Sequence, residues 1–274
     1  PIMDRRLFLS TAGASALAAA TPRVFAQAAG MSGNGDDARL SAAFAAIFER
    51  ALDRSPMFVT SLGLDKGARA GAKSQLDDNS KSGMMKDLAA TQAAIRELEG
   101  FQGANLSDAQ RLNLDVILYS LGQQTVAPGT FGLNSVQRPY RIFQQGGSYF
   151  RVPDFLNTAH TINDSADCDA YVARLDAFAR NLRTDTALQR DEAARGYLAP
   201  AWSLDLTLGQ LKKLRGQPAA QSSMVQSLVK RASAKGISGD WQAQATGVVE
   251  KAIYPALDEQ IAAIEALKGK TAAG

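Results

Sequence analysis

From about position 36 to 268 the apolar residues recur three and four places apart, and nowhere do they alternate long enough to build a strand. That single property restricts the chain to helix-on-helix packing. A helix over 37–54 is capped by Asp36 or Asp37 and carries Leu40, Phe44, Ile47, Phe48 and Leu52 on one face. Pro56 opens a new segment, and 64–80, with its Asp, Gly, Lys and Ser, reads as an exposed loop. A second long helix carries Met85, Leu88, Ile95 and Leu98 and ends at Gly100 or Gly103. Ser107 caps a third, with Leu112, Leu114, Ile117, Leu118 and Leu121.

The pattern breaks over 122–151, a stretch rich in Gly, aromatic residues and Arg, with room for a short hairpin around 140–150. Helical spacing then resumes. Residues 153–158 make a short turn. Asn163 or Ser165 caps a long helix with Tyr171, Leu175, Phe178 and Leu182, which can run to Gly196 at the C′ position. Pro200 opens the next helix, closed by Gly216, and 222–235 forms another, closed by Gly236. The last runs over 240–268 with Pro255 inside it, where a kink is expected. The fold class is therefore all-α: a multi-helix array of long, mostly antiparallel helices around one irregular segment.

The first residues concern destination. Arg5 and Arg6 form a charged head, Phe8 follows two places on, and a weakly apolar run leads to Val24-Phe25-Ala26, which suits a cut after Ala26. The run is too short and too poor in Leu, Ile and Val to span a bilayer stably. Residues 1–26 read as a twin-arginine-type signal and place the protein in the periplasm or outside the cell, with the membrane met only during export. An ordinary secretory signal or an amphipathic N-terminal helix is the blander alternative. Met3 reads as the start, 27–36 as a flexible leader, and 37–274 as one helical domain. Without 1–26, Lys plus Arg falls from 30 to 27 and Asp plus Glu from 27 to 26, so the net charge drops from +3 to +1. The basic balance belongs in part to the signal and argues for no nucleic-acid partner. The one cysteine, Cys168, can make no intramolecular disulfide, so the core alone must hold the exported fold.

Chemistry is sparse. His160 is the only histidine, and one imidazole with one thiol is too little for a zinc site, so no metal or cofactor is expected on this chain. Asp164, Asp167 and Asp169 cluster, but the spacing suits a helix start better than a calcium loop. Ser227 and Lys230 match S-x-x-K without the companion motifs of serine acyltransferases, and Gly146-Gly147-Ser148 lacks the nucleophile-elbow spacing. The Arg and aromatic residues of 138–151 can bind a ligand or, more commonly, pack on the fold.

Three runs carry a resemblance. They are Gln145-Gly146-Gly147-Ser148-Tyr149-Phe150, then Val152-Pro153-Asp154-Phe155-Leu156 with His160, then the stretch from Asp169 to Phe178 containing Tyr171, Arg174 and Leu175. With the early Ser55-Pro56 stretch, they make the chain resemble the bacterial family called domain of unknown function 885. The resemblance implies an exported, zinc-peptidase-like protein of about twice this length. Its metal would sit on an H-E-A-x-P-G-H-H helix in a C-terminal half that this sequence does not contain, so no ligand carries over to any residue here. It implies that this chain is the N-terminal helical part, catalytically inert alone, forming one wall of a cleft for a peptide substrate. Arg138, Tyr140, Arg141, Gln145, Tyr149, Phe150, Asp154 and His160 would lie at the junction or face the substrate. The alternative is a stand-alone periplasmic helical binding module.

Overall fold

Local side-chain chemistry sets most of the helix ends. The computed structural model describes residues 35–271. The signal residues Arg5, Arg6 and Phe8, the cut after Ala26 and nearly all of the leader lie outside the described residues. Among these the chain is helical and has no strand. The α-helices are α1 Gly35–Leu52, α2 Pro56–Ser61, α3 Lys81–Glu99, α4 Asp108–Val126 and α5 Ser148–Thr158. They continue with α6 Ser165–Ala194, α7 Ala201–Arg215, α8 Ser223–Ala234, α9 Trp241–Val248 and α10 Tyr254–Lys268. Ser55 caps α2, with Pro56 in the first turn, by accepting the Phe58 N–H at 3.4 Å. Ser107 and Ser222 cap α4 and α8 in the same way. Gly196 and Gly236 close α6 and α8 at φ +90° and +66°, a region that suits glycine alone.

Several expectations change on folding. Asp164, not Asn163 or Ser165, caps α6, accepting the Asp167 N–H at 2.9 Å. The break after 121 starts late: α4 runs to Val126 and passes into a π-turn at Ala127–Phe131. The 153–158 turn is the second half of α5, with Pro153 inside it. The hairpin reduces to one isolated bridge between Phe143 and Gly146. Pro255 is preceded by a π-turn at Val249–Ile253, in which the Tyr254 N–H reaches back to Val249. The wider turn gives the proline ring room it would lack in a regular helix. The 64–80 loop is a 3-10 helix, Gly67–Ser74, followed by an extended strap that is half-buried against α6. Asp77 on this strap accepts from Met57 N and Ser55 Oγ at 2.9 and 3.0 Å.

The described residues divide into two compact units, 35–51 with 91–123, and 52–90 with 124–271. Each boundary falls within a helix, so no linker composition marks it. The first unit has a core of Leu40, Phe44, Leu98, Leu106, Leu114 and Leu121. Asp36 and Asp37 accept the backbone N–H groups of Asn105 and Ser107, fixing the start of α4. Leu112, Val116 and Tyr119 form an exposed apolar stripe on the opposite face of that helix.

The second unit is built on α6, against which α5, α8, α9, α10 and the 3-10 helix all pack. Tyr171, Leu175, Phe178 and Leu182 are fully buried there with Leu156, Leu204, Leu211, Leu228 and Leu257. Burying each such side chain contributes about 1.5–3 kcal/mol.

Candidate functional site

The apolar stripe of α6 runs Tyr171, Leu175, Phe178, Leu182 and continues at the same spacing with Asp185, Gln189 and Glu192. Those three polar side chains are buried. Buried polar groups are mostly hydrogen-bonded, and the oxygens of these three find backbone N–H groups of the irregular segment, while Gln189 Nε2 has no partner. Asp185 Oδ2 accepts Ser148 N–H, Gln189 Oε1 accepts Ile142 N–H and Glu192 Oε2 accepts Arg141 N–H, at 2.6, 2.7 and 2.6 Å. The Arg141 guanidinium turns to Asp185 Oδ1 at 2.6 Å and to the Asn79 carbonyl, while the Asn79 amide donates to Asp185 Oδ1 at 2.7 Å. Asp185 thus lies at the first turn of α5, where the helix dipole favours a carboxylate.

The two glycines make this possible. A Cβ on Gly146 would lie 2.1 Å from the Phe143 ring, and Gly147 takes φ +92° so that the Ser148 N–H meets Asp185. Tyr149 is buried, its hydroxyl within 2.8 Å of the Phe143 carbonyl and of Gln210, and burial pushes its pKa up to about 12. Tyr140 meets Phe143 edge-on, and Arg138 lies over the same ring.

A second buried cluster centres on Arg174, which has no solvent exposure. Its guanidinium donates to the Gln75 and Ala72 carbonyls, to Thr60 Oγ1 at 2.6 Å and to His160 Nδ1 at 2.7 Å, and it lies over the Phe155 ring. Arg174 can only donate and the Asp167 carbonyl can only accept, so His160 keeps its proton on Nε2 and is neutral. Burial foremost, with the charges of Arg174, Lys73 and Arg231 adding to it, pushes the His160 pKa down to about 4.

The eight residues singled out in the sequence therefore divide. Arg138, Gln145, Phe150 and Asp154 are exposed, Tyr140 and Arg141 are half-buried, and Tyr149 and His160 are buried. Asp167 pairs with Lys73 at 2.6 Å, and Cys168 is buried. Ser227 donates to Asn157 rather than meeting Lys230, which is exposed. Among the described residues no three His, Cys, Asp or Glu side chains are grouped to hold a metal ion. Both ring nitrogens of His160 are in use, so these residues do not fit a zinc centre.

Asn79, Arg174, Asp185, Gln189 and Glu192 were not singled out as a cluster from the sequence. For Asp185, Gln189 and Glu192 the available signal was the unbroken stripe spacing of α6, which passes from apolar to polar residues without changing face; Asn79 and Arg174 carry no such signal.

Over residues 56–273 the sequence matches the family described as bacterial protein of unknown function (DUF885). The chain belongs to this family. The anchored DUF885 segment, 138–160, lies wholly inside the match. No curated protein matches the sequence. The fold is similar to the crystal structure of "the putative lipoprotein from Colwellia psychrerythraea", with a TM-score of 0.74 at 17% identity. That similarity covers 86% of this chain and 42% of the other, so this DUF885 chain spans less than half the length of that protein.

Proposed function

We propose that this chain is the helical N-terminal portion of an exported, zinc-peptidase-like DUF885 protein. In this reading the 138–160 segment forms part of one wall of a peptide cleft, and the metal is held by residues outside this chain. The observation that carries it is the anchoring of that segment. Its backbone N–H groups at Arg141, Ile142 and Ser148 are fixed to buried α6 side chains, while Arg138, Gln145, Phe150 and Asp154 remain exposed. A rigid base with outward-facing charged and aromatic groups suits substrate positioning. The greater length of the similar lipoprotein leaves room for a further half.

Export rests on the N-terminal pattern, and among the described residues no helix is long and apolar enough to cross a membrane. Calorimetric titration of the purified chain with zinc, alongside a peptidase assay with and without chelator, tests the reading. No stoichiometric site and no hydrolysis are expected. A submicromolar zinc site within this chain, or hydrolysis that a chelator abolishes, overturns it.

A further inference from the structure

The three α6 side chains that hold the irregular segment differ in how their charge is compensated. Asp185 has the Arg141 guanidinium, the Asn79 amide and the Ser148 N–H. Gln189 has no charge. Glu192 is 7% exposed and receives the Arg141 backbone N–H, yet among the described residues no cation pairs with its carboxyl group. Arg141 is turned to Asp185, and Arg195 spends its guanidinium on the carbonyls of Phe131 and Gly132.

The other charges around Glu192 do not remedy this. Arg141 and Arg195 favour the ionised carboxyl only at longer range, Asp185 opposes it, and burial outweighs them all; Asp191 and Lys81, the latter from the start of α3, line the same small cleft without a cation pairing with Glu192. Glu192 also lies in the last turn of α6, where the helix dipole disfavours a negative charge.

We infer that Glu192 is a proton-operated clasp on the 138–148 segment. Protonated, it holds the backbone at Arg141 without a buried charge. Ionised, it favours release of the segment, because release hydrates the carboxylate.

The cleft lined by Ser80, Lys81, Asn134, Asp191 and Glu192 gives the proton a route to solvent. Burial pushes the Glu192 pKa up to about 7. Once the segment opens, the carboxyl regains its ordinary value of 4.5. Opening therefore becomes easier as pH rises from about 4.5 to 7, by up to about tenfold per pH unit, and levels off above that. Arg138, Tyr140 and Gln145 would be presented on a fixed backbone in acid and on a looser one at neutral pH.

The test is amide hydrogen exchange of the intact chain from pH 5 to 8.5, corrected for the intrinsic pH dependence of exchange. Protection at Arg141 and Ile142 is expected to fall by at least tenfold between pH 5 and 7 and then to level. In Glu192→Gln, whose amide oxygen still accepts the Arg141 N–H, protection should not change with pH. Constant protection in the wild type, or the same decline in the variant, overturns the inference. A carbon-13 titration of the Glu192 carboxyl in the wild type tests it without a substitution: a midpoint near 7 supports the clasp, and one near 4.5 overturns it.

Discussion

The two halves of α6 solve opposite problems. Around Arg174 the helix buries a cation and surrounds it with carbonyls, a hydroxyl, a neutral imidazole and an aromatic face. Around Asp185 and Glu192 it buries carboxyl groups and surrounds them with N–H donors. The cation cannot shed its charge at any ordinary pH, so its acceptors must all be kept. The Glu192 carboxyl can shed its charge by taking a proton. The first cluster therefore acts as a fixed hub joining α2, the 3-10 helix, α5 and α6, while the second can respond to pH.

The largest expected break in this contrast is Arg174→Met. It leaves Thr60, His160 and two backbone carbonyls without their donor, and at about 1–3 kcal/mol for each buried group left unsatisfied should lower unfolding free energy by about 3–5 kcal/mol. Urea denaturation measures it, and a loss below about 1 kcal/mol would mean the hub is not a structural centre.

Next comes pH. His160 is held below its ordinary pKa of 6.5, at about 4, so the unfolded chain binds the extra proton and stability falls as pH drops from 6.5 to 4. Glu192 is held above its ordinary 4.5, at about 7, so the folded chain keeps the proton and stability falls as pH rises from 4.5 to 7. Each amounts to about 3 kcal/mol, and between 4.5 and 6.5 they oppose one another. Glu192→Gln should unmask stability that rises with pH across that window, and His160→Gln stability that declines. Urea midpoints at half-unit pH steps check both; parallel slopes in the two variants would refute the opposition.

Gly147→Ala should cost about 1–2 kcal/mol, because φ +92° strains any Cβ-bearing residue and misaims the Ser148 N–H. Its effect should centre on α5 in hydrogen exchange and leave the Arg174 hub protected. The smallest change is expected at the half-exposed Lys268–Asp205 pair, where Lys268→Ala should alter stability by no more than about 0.5 kcal/mol. A thermal melt that moved as far as that of the hub variant would contradict the ranking of buried over exposed charge.

Much of the helical layout was legible because its signals are local. Pro56, Ser107, Ser222, Gly196 and Gly236 act within one turn of themselves, whatever lies elsewhere in the chain. Asn163, Asp164 and Ser165 are all polar residues able to cap α6, and only the final geometry selects Asp164. The strap after Gly67–Ser74 looked exposed because its composition is polar. It is half-buried because Asp77 and Asn79 find partners about 20 and 100 residues away. The π-turns at Pro128 and Pro255 were not legible either. A proline in a helix tells that a backbone bond is lost, not whether the helix bends or widens.

By itself, the sequence determined that this chain would be helical, that one glycine-rich stretch would interrupt the helices, and which family it resembles. Those properties follow from spacing and side-chain type, which act over a few residues. Tertiary structure alone decided that Arg174 would be buried with a neutral His160, and that Asp185, Gln189 and Glu192 would hold the irregular segment. The free energy of a buried polar group depends on the partners folding delivers, and those partners lie far away along the chain.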